Sequence, residues 1–297
     1  MTEPLASPRL AFVGFGEAAA AIATGLREQG LTRMAAVTRA GPGGPAGLLA
    51  ERLAAAEVLH LEDPADLHQA DVVFSLVRPS QALVAAKEYA HRLGQTALYV
   101  DMTSAGPTEK GEVADVITAQ GIDFVDAAIV GAPAASRHQV SIVASGARAA
   151  ELAERFVPYG MRIKPVGVRT GAASAIKIVR SVLAKGLEAL YVEALLAGDK
   201  LGIADGVLSS FCDFLDERPA IDTAAMLVRS HVLHAERRAD EMRMSAAVLS
   251  SAGVPPVMTQ AMIDVMERTA GSGVAKQFAG KQPADLDAAL AAIRASL

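Results

Sequence analysis

"RLAFVGFGEAAAAIATGLREQG", residues 9–30, passes from a short apolar run through two closely spaced glycines into a helix-forming segment that ends at Gly30. Residues 14–19, "GFGEAA", fit the pattern G-x-G-x-x-[G/A]. Gly14 permits a tight turn, Gly16 lets backbone approach a pyrophosphate, and Ala19 is small enough for close helix–strand packing. The N–H groups of the new helix then face the phosphates. A glycine turn with no ligand would use the same residues. The strand before it and the helix after it favour a dinucleotide.

Further apolar runs follow at 34–39, 71–80, 96–107, 122–133 and 140–146, each closed by a polar or Gly/Pro-containing exit. Strands alternating with helical segments predict a parallel, doubly wound sheet, and ligands collect at the carboxyl ends of such strands. Those ends are Gly14–Ala19, Thr38–Arg39, Val77–Ser80 and Asp101–Pro107. The cofactor-contact candidates are therefore Gly14, Phe15, Gly16, Glu17, Ala18, Thr38, Arg39, Val77, Arg78 and Pro79. After residue 167 the strand signal stops, and helical segments cover 172–202, 205–217, 222–252 and 256–270. The expected fold is α/β plus all-α, with a Rossmann domain over 1–166 and an all-helical domain over 167–297 that serves substrate binding and dimerisation.

An acid about 20 residues after the glycines holds the ribose hydroxyls in NAD-preferring folds. Here the second run ends "VTR" with no acid, and Arg39 and Thr38 suit a 2′-phosphate instead. NADP(H) is expected over NAD(H), which stays the alternative.

Composition narrows the remaining classes. The net charge of −5 and the lack of a basic stripe with interleaved aromatics exclude a nucleic-acid partner. A single cysteine, Cys212, excludes an intramolecular disulfide framework and is expected as a small buried hydrophobe. No apolar run reaches 18 residues, so no membrane partner is expected. The opening residues lack the basic end and apolar run of a secretion signal, and the expected compartment is the cytoplasm.

Four segments together resemble the β-hydroxyacid dehydrogenase family, which includes 3-hydroxyisobutyrate dehydrogenase and shares its fold with 6-phosphogluconate dehydrogenase. "GFGEAAAAIATGL" (14–26) looks like the family's opening glycine signature. "DMTSAGP" (101–107) is similar to its D-x-S-T-x-x-P segment, and "DAAIVGAP" (126–133) to its substrate loop. "GAASAIKIVRS" (171–181) resembles the G-x-G-x-x-x-K-x-x-x-N motif that carries the catalytic lysine. The tail, with "HVLHAERRADEM" and "SAGVPPVMTQ", looks more like a less characterised branch. The resemblance implies that Lys177 is the general acid/base and that Thr103 hydrogen-bonds the reacting hydroxyl. It places Gly131 and Ala132 on the loop that holds a substrate carboxylate, and Ser181 one turn after the lysine. Ser104, beside Thr103, joins them as a substrate-contact candidate. Val130 departs from the family's loop serine, Ser181 from its asparagine and Ala173 from its second glycine.

The residues around Lys177 point the same way. An isolated helical lysine ordinarily lays its stem along the surface with its head in water. Here positions 170, 173, 174, 177, 181 and 184 share one face and read Thr, Ala, Ser, Lys, Ser, Ala, which suits a small polar cavity. A lysine partly desolvated there, near Arg180, has a lowered pKa suited to proton transfer. The expected function is NADP(H)-dependent interconversion of a small hydroxy acid and its oxo acid or semialdehyde. An imine reductase of similar architecture and a non-catalytic dinucleotide sensor are the alternatives; Lys177 counts against the first, since those proteins generally lack the lysine.

Other clusters carry less. His231, His234, Arg237 and Arg238 crowd one helix, but no set of three or four ligands accompanies them, and no metal is expected. Glu188 and Glu193 are expected in structural ion pairs. The methionines of 242–266 recur at helical spacing, as core or subunit interface, and a homodimer joined through the helical domain is expected.

Overall fold

The computed structural model describes residues 7–38 and 44–296. The chain divides into two compact units, Met1–Val182 and Leu183–Leu297, and the division falls inside one long helix.

The first unit holds β1 (Leu10–Val13), α1 (Glu17–Glu28), β2 (Met34–Val37), α2 (Leu48–Ala55), β3 (Leu59–His60), β4 (Val72–Ser75) and α3 (Ala82–Tyr89). It continues with β5 (Leu98–Asp101), α4 (Pro107–Thr118), β6 (Asp123–Ile129), the single turn α5 (Pro133–Ser136), β7 (Ser141–Ser145), α6 (Ala149–Phe156) and β8 (Arg162–Pro165). The eight strands form one sheet in the order β3-β2-β1-β4-β5-β6-β7-β8. Every pair is parallel except β6 with β7.

Alternation along the strands builds two separate cores. Leu10 and Phe12 of β1 face one way, with Phe74, Val100, Ile22 and Leu26 of α1, and Leu152 and Phe156 of α6. Ala11 and Val13 face the other, with Val73, Tyr99, Ala86 of α3, and Val113 and Ile117 of α4. Each face of the sheet is thus closed by helices, as a parallel sheet requires.

Two strands go beyond the sequence reading. β3 has two residues and β8 reads Arg-Ile-Lys-Pro with only Ile163 buried, so neither shows an apolar run. Both lie at the sheet edges, where short or charged strands discourage pairing with other chains.

The long helix α7 runs Ala172–Leu201, and α8 (Ala204–Asp216), α9 (Ala220–Ser251), α10 (Val257–Gly271) and α11 (Leu286–Ala295) follow. Within the second unit, Val232, Val274, Ala289 and Ala292 form a small buried cluster. Cys212 corrects the sequence reading: it is exposed, because α8 buries none of its residues against the rest of the unit.

Glu193 is nearly fully buried, yet its partner is no lysine. Its carboxylate accepts the N–H groups of Met258 (2.7 Å) and Thr259 (2.9 Å) and the Thr259 hydroxyl (2.6 Å). α10 has no side-chain cap of its own, so Glu193 of α7 satisfies its first-turn donors from outside. Burial alone raises the carboxyl pKa. The Thr259 hydroxyl and the backbone N–H groups of 257–259 outweigh it and hold the pKa below its ordinary value. Such a group stabilises the fold above its unfolded pKa and loses that effect as pH falls through the folded one. Glu193→Ala is therefore expected to cost about 2 kcal/mol at neutral pH, from one lost cap and buried donors left unpaired. Urea denaturation followed by circular dichroism checks it, and the gap to wild type must narrow in acid.

Candidate active site

The carboxyl end of β1 turns into α1 at Gly14, whose φ of +82° lies in the left-handed region. A Cβ there would also stand 2.8 Å from Val77 Cγ1, so only glycine fits. Gly16 has open space where a Cβ would point, and no side chain caps α1. The free N–H groups of that first turn face a cleft of about 600 Å³ lined by Gly14, Phe15, Gly16, Thr38, Val77 and Arg78, among others. The Phe15 ring itself is buried against Phe12, so that residue meets the cleft through its backbone. Glu17 opens α1 and is exposed. Bare backbone donors, an open approach at Gly16 and the strand ends around it fit a dinucleotide pyrophosphate. Arg39 lies outside the described residues.

Leu76 and Val77 also line a second cavity of about 340 Å³, which therefore adjoins the cleft. Ala18, Pro79, Thr103, Ser104, Gly131, Lys177 and Ser181 line it, with Arg180. The half-buried Lys177 Nζ donates to Ser104 Oγ at 2.7 Å, and Ser181 Oγ donates back to the Lys177 carbonyl at 2.9 Å. Thr103 is buried; its N–H goes to Asp101 Oδ1 and its hydroxyl accepts the Ala105 N–H. Among these neighbours the lysine's hydrogen-bond partner is thus Ser104 rather than Thr103. Gly131 and Pro133 line the cavity on either side of the exposed Ala132, and Gly131 has a φ of +149°.

Burial and the charge of Lys110 lower the Lys177 pKa from its ordinary value. Lys110 is a residue beside the site that the sequence reading missed. It is fully buried, with Nζ 3.0 Å from Asp101 Oδ1, 3.4 Å from Asp126 Oδ1 and 2.6 Å from the Asp101 carbonyl. The signal was present: Lys110 shares the stripe of Val113, Ala114 and Ile117, an ammonium on the apolar face of α4. Asp126 Oδ2 accepts the N–H and hydroxyl of Ser174 at 3.0 and 3.1 Å, and Ser145 Oγ accepts the Ala173 N–H at 3.0 Å. The sheet thereby caps the first turn of α7, one turn ahead of Lys177.

The weaker candidates lie in the second unit. His231 Nε2 meets Thr269 Oγ1 at 2.9 Å, Arg238 donates to Ser230, and Arg237 pairs with Glu241. Among the described residues no three His, Cys, Asp or Glu side chains gather to hold a metal. No helix among them is long and apolar enough to cross a membrane.

A doubly wound sheet with this glycine turn, followed by a helical unit, defines a dinucleotide-binding dehydrogenase fold. Residues 9–160 match the NAD-binding domain of 6-phosphogluconate dehydrogenase, and 199–269 match the domain of unknown function DUF1932. The chain belongs to the β-hydroxyacid dehydrogenase family of 6-phosphogluconate dehydrogenase-like proteins, in a branch with its own helical domain. A conserved protein of unknown function, described as structurally similar to 3-hydroxyacid dehydrogenases, is 31% identical, with 88% of this chain and 96% of that one covered and a TM-score of 0.61. A 2-(hydroxymethyl)glutarate dehydrogenase from Eubacterium barkeri is 35% identical over 108 residues, 35% of each chain. An imine reductase from Myxococcus stipitatus, in complex with NADP+, shares the fold at 20% identity, with a TM-score of 0.70 over 90% of this chain and 95% of that one.

Proposed function

We propose that this protein is an NADP(H)-dependent reductase of a small oxo acid or semialdehyde, running reversibly to the hydroxy acid, with Lys177 as general acid/base. The observation that carries the reading is the Lys177–Ser104 hydrogen bond inside a cavity that adjoins the glycine-turn cleft. A bound NADPH supplies the hydride. The chain's residues do the rest: Ser104 and Thr103 orient the carbonyl, and Lys177 Nζ delivers the proton to its oxygen as negative charge develops there. The backbone at Gly131, after the end of β6, lines the same cavity beside the substrate's carbon skeleton. Burial and Lys110 bring the ammonium toward a working range, since efficient proton transfer needs a pKa near the operating pH.

The apolar surface of the second unit supports a homodimer. Leu183 and Val192 of α7, Ile221 and Val248 of α9 and Val257 of α10 are exposed in a single copy, more than a soluble helical unit leaves to water. Closed two-fold symmetry is the commonest way to cover such a surface. Light scattering at micromolar concentration must return twice the 30.7 kDa chain; a monomer refutes the dimer.

Cofactor choice is tested at Arg39. Arg39→Ala is expected to weaken NADPH binding by about 1.5–3 kcal/mol, the worth of a hydrogen bond to a charged group, and to leave NADH nearly unchanged. Fluorescence titration of both cofactors decides, and equal losses count against a 2′-phosphate contact.

Catalysis is tested at Lys177. Once oxo acids and semialdehydes have been screened by NADPH absorbance, Lys177→Ala must lower kcat by about 10²–10⁴-fold with NADPH affinity unchanged. Lys177→Arg should not restore the rate, since a guanidinium keeps its proton. Reduction needs the protonated amine, so wild-type kcat should fall as pH rises through a pKa below that of a free lysine. An alanine variant that keeps half its kcat removes Lys177 from the proton transfer, and a wild type that turns nothing over leaves only a dinucleotide-binding protein.

A further inference from the structure

We infer that Arg180 is the side chain that anchors the carboxylate of the substrate reduced at Lys177, and so the residue that selects an oxo acid over an imine. The inference rests on the reading of this cavity as the reductive site and adds the residue that sets its specificity.

Lys177, Arg180 and Ser181 stand at i, i+3 and i+4 on α7, so they share one helix face, and all three line the 340 Å³ cavity. Their backbone positions at 177 and 180 are about 4.5 Å apart along the helix axis. No aspartate or glutamate lines the cavity with them. Lys177 spends a donor on Ser104, a neutral oxygen. Arg180 is exposed and makes no hydrogen bond or ion pair with any other described residue. Arg237 and Arg243 of α9, by contrast, are each paired with carboxylates on the protein's own surface.

The cavity lining offers two cations and no carboxylate, so an anionic ligand meets complementary charge there. An iminium or ammonium ligand would add a third positive charge. The guanidinium presents a planar fork of donors that matches the two oxygens of a carboxylate, whereas the ammonium is a single point of charge suited to one oxygen. Lys177 with Ser104 therefore suits the carbonyl oxygen, and Arg180 suits the carboxylate.

The loop after β6 explains why an arginine is needed. Between β6 and α5 the chain reads Val130-Gly131-Ala132, with no side-chain donor, so that loop offers backbone alone. The Leu76, Met102, Ile129 and Val130 side chains that complete the lining are apolar, and suit a short carbon skeleton between two polar ends.

The test needs no turnover. Wild-type protein saturated with NADPH is titrated calorimetrically with malonate and with propionate, carboxylates that have no carbonyl to reduce, and with cyclohexylammonium as the cationic probe. The same titrations are run on Arg180→Gln and Arg180→Lys. The expected result is that wild type binds at least one carboxylate and ignores the ammonium. Arg180→Gln should weaken that binding by about 10- to 100-fold, and Arg180→Lys by less, with NADPH affinity and melting temperature unchanged. Three outcomes overturn the inference: Arg180→Gln binding carboxylates as tightly as wild type, wild type binding neither carboxylate more tightly than about 1 mM, or preference for the ammonium. Each leaves the proton-transfer role of Lys177 to its own rate measurement, so the two readings fail separately.

Discussion

A buried ammonium between two buried carboxylates fixes the geometry on which the candidate site depends. Strand register puts Ser75, Asp101, Asp126 and Ser145 side by side across β4, β5, β6 and β7, on one face of the sheet. All four are fully buried, and two neighbouring aspartates in that position would repel strongly. Lys110 is driven between them by the apolar stripe of α4, which has no other face to bury. Removing one partner of such a buried set typically costs about 3–5 kcal/mol, because a charge is left without compensation. The set therefore permits few arrangements of α4 against the sheet.

That restriction extends to the chemistry through the same two carboxylates. Asp101 takes the Thr103 N–H and so sets the turn that presents Thr103 and Ser104. Asp126 takes the N–H and hydroxyl of Ser174, and its negative charge sits favourably at the positive end of α7. Ser104 and Lys177 thus reach each other from two segments held by one ion network. The network also contributes to the field, since the charge that helps lower the Lys177 pKa is Lys110 and not the adjacent Arg180. Exposed Arg180 is screened by water, while Lys110 acts from inside the low-dielectric core.

Much of this was legible in the sequence, and the limits have physical causes. The glycine turn, the main strands and the helices from 172 to 271 showed because they carry apolar residues with their own period. β3 and β8 did not, because an edge strand needs little apolar content. α11 was missed although its cap, Asp285 accepting the Ala288 N–H, is a readable start signal. Lys177 was singled out by its small, polar helix face together with a family resemblance. Its hydrogen bond to Ser104 was not read, because adjacent turn residues point in different directions and only the Asp101 bond decides which one is buried. Glu193 as a cap for a distant helix left no local trace, since its partners lie more than sixty residues away.

The two parts of the candidate site offer donors of different kinds, and the difference follows from where each sits. At the glycine turn the donors are backbone N–H groups of α1, fixed by the fold and indifferent to side-chain identity, which suits a pyrophosphate common to every dinucleotide. At the adjoining cavity the donors are side chains of α7, open to change one residue at a time without disturbing the sheet. The first half of α7 is tied to the sheet at Ala173 and Ser174, so Lys177, Arg180 and Ser181 project from a fixed origin. Ser181 in place of the family's asparagine is a change on that face, and its shorter side chain turns back to the Lys177 carbonyl. Val130 in place of the loop serine, between β6 and α5, removes a side-chain donor from the same cavity. Arg180 is then a charged side chain of the lining with no carboxylate beside it, which is why the proposed selection of a substrate falls to α7 rather than to the loop.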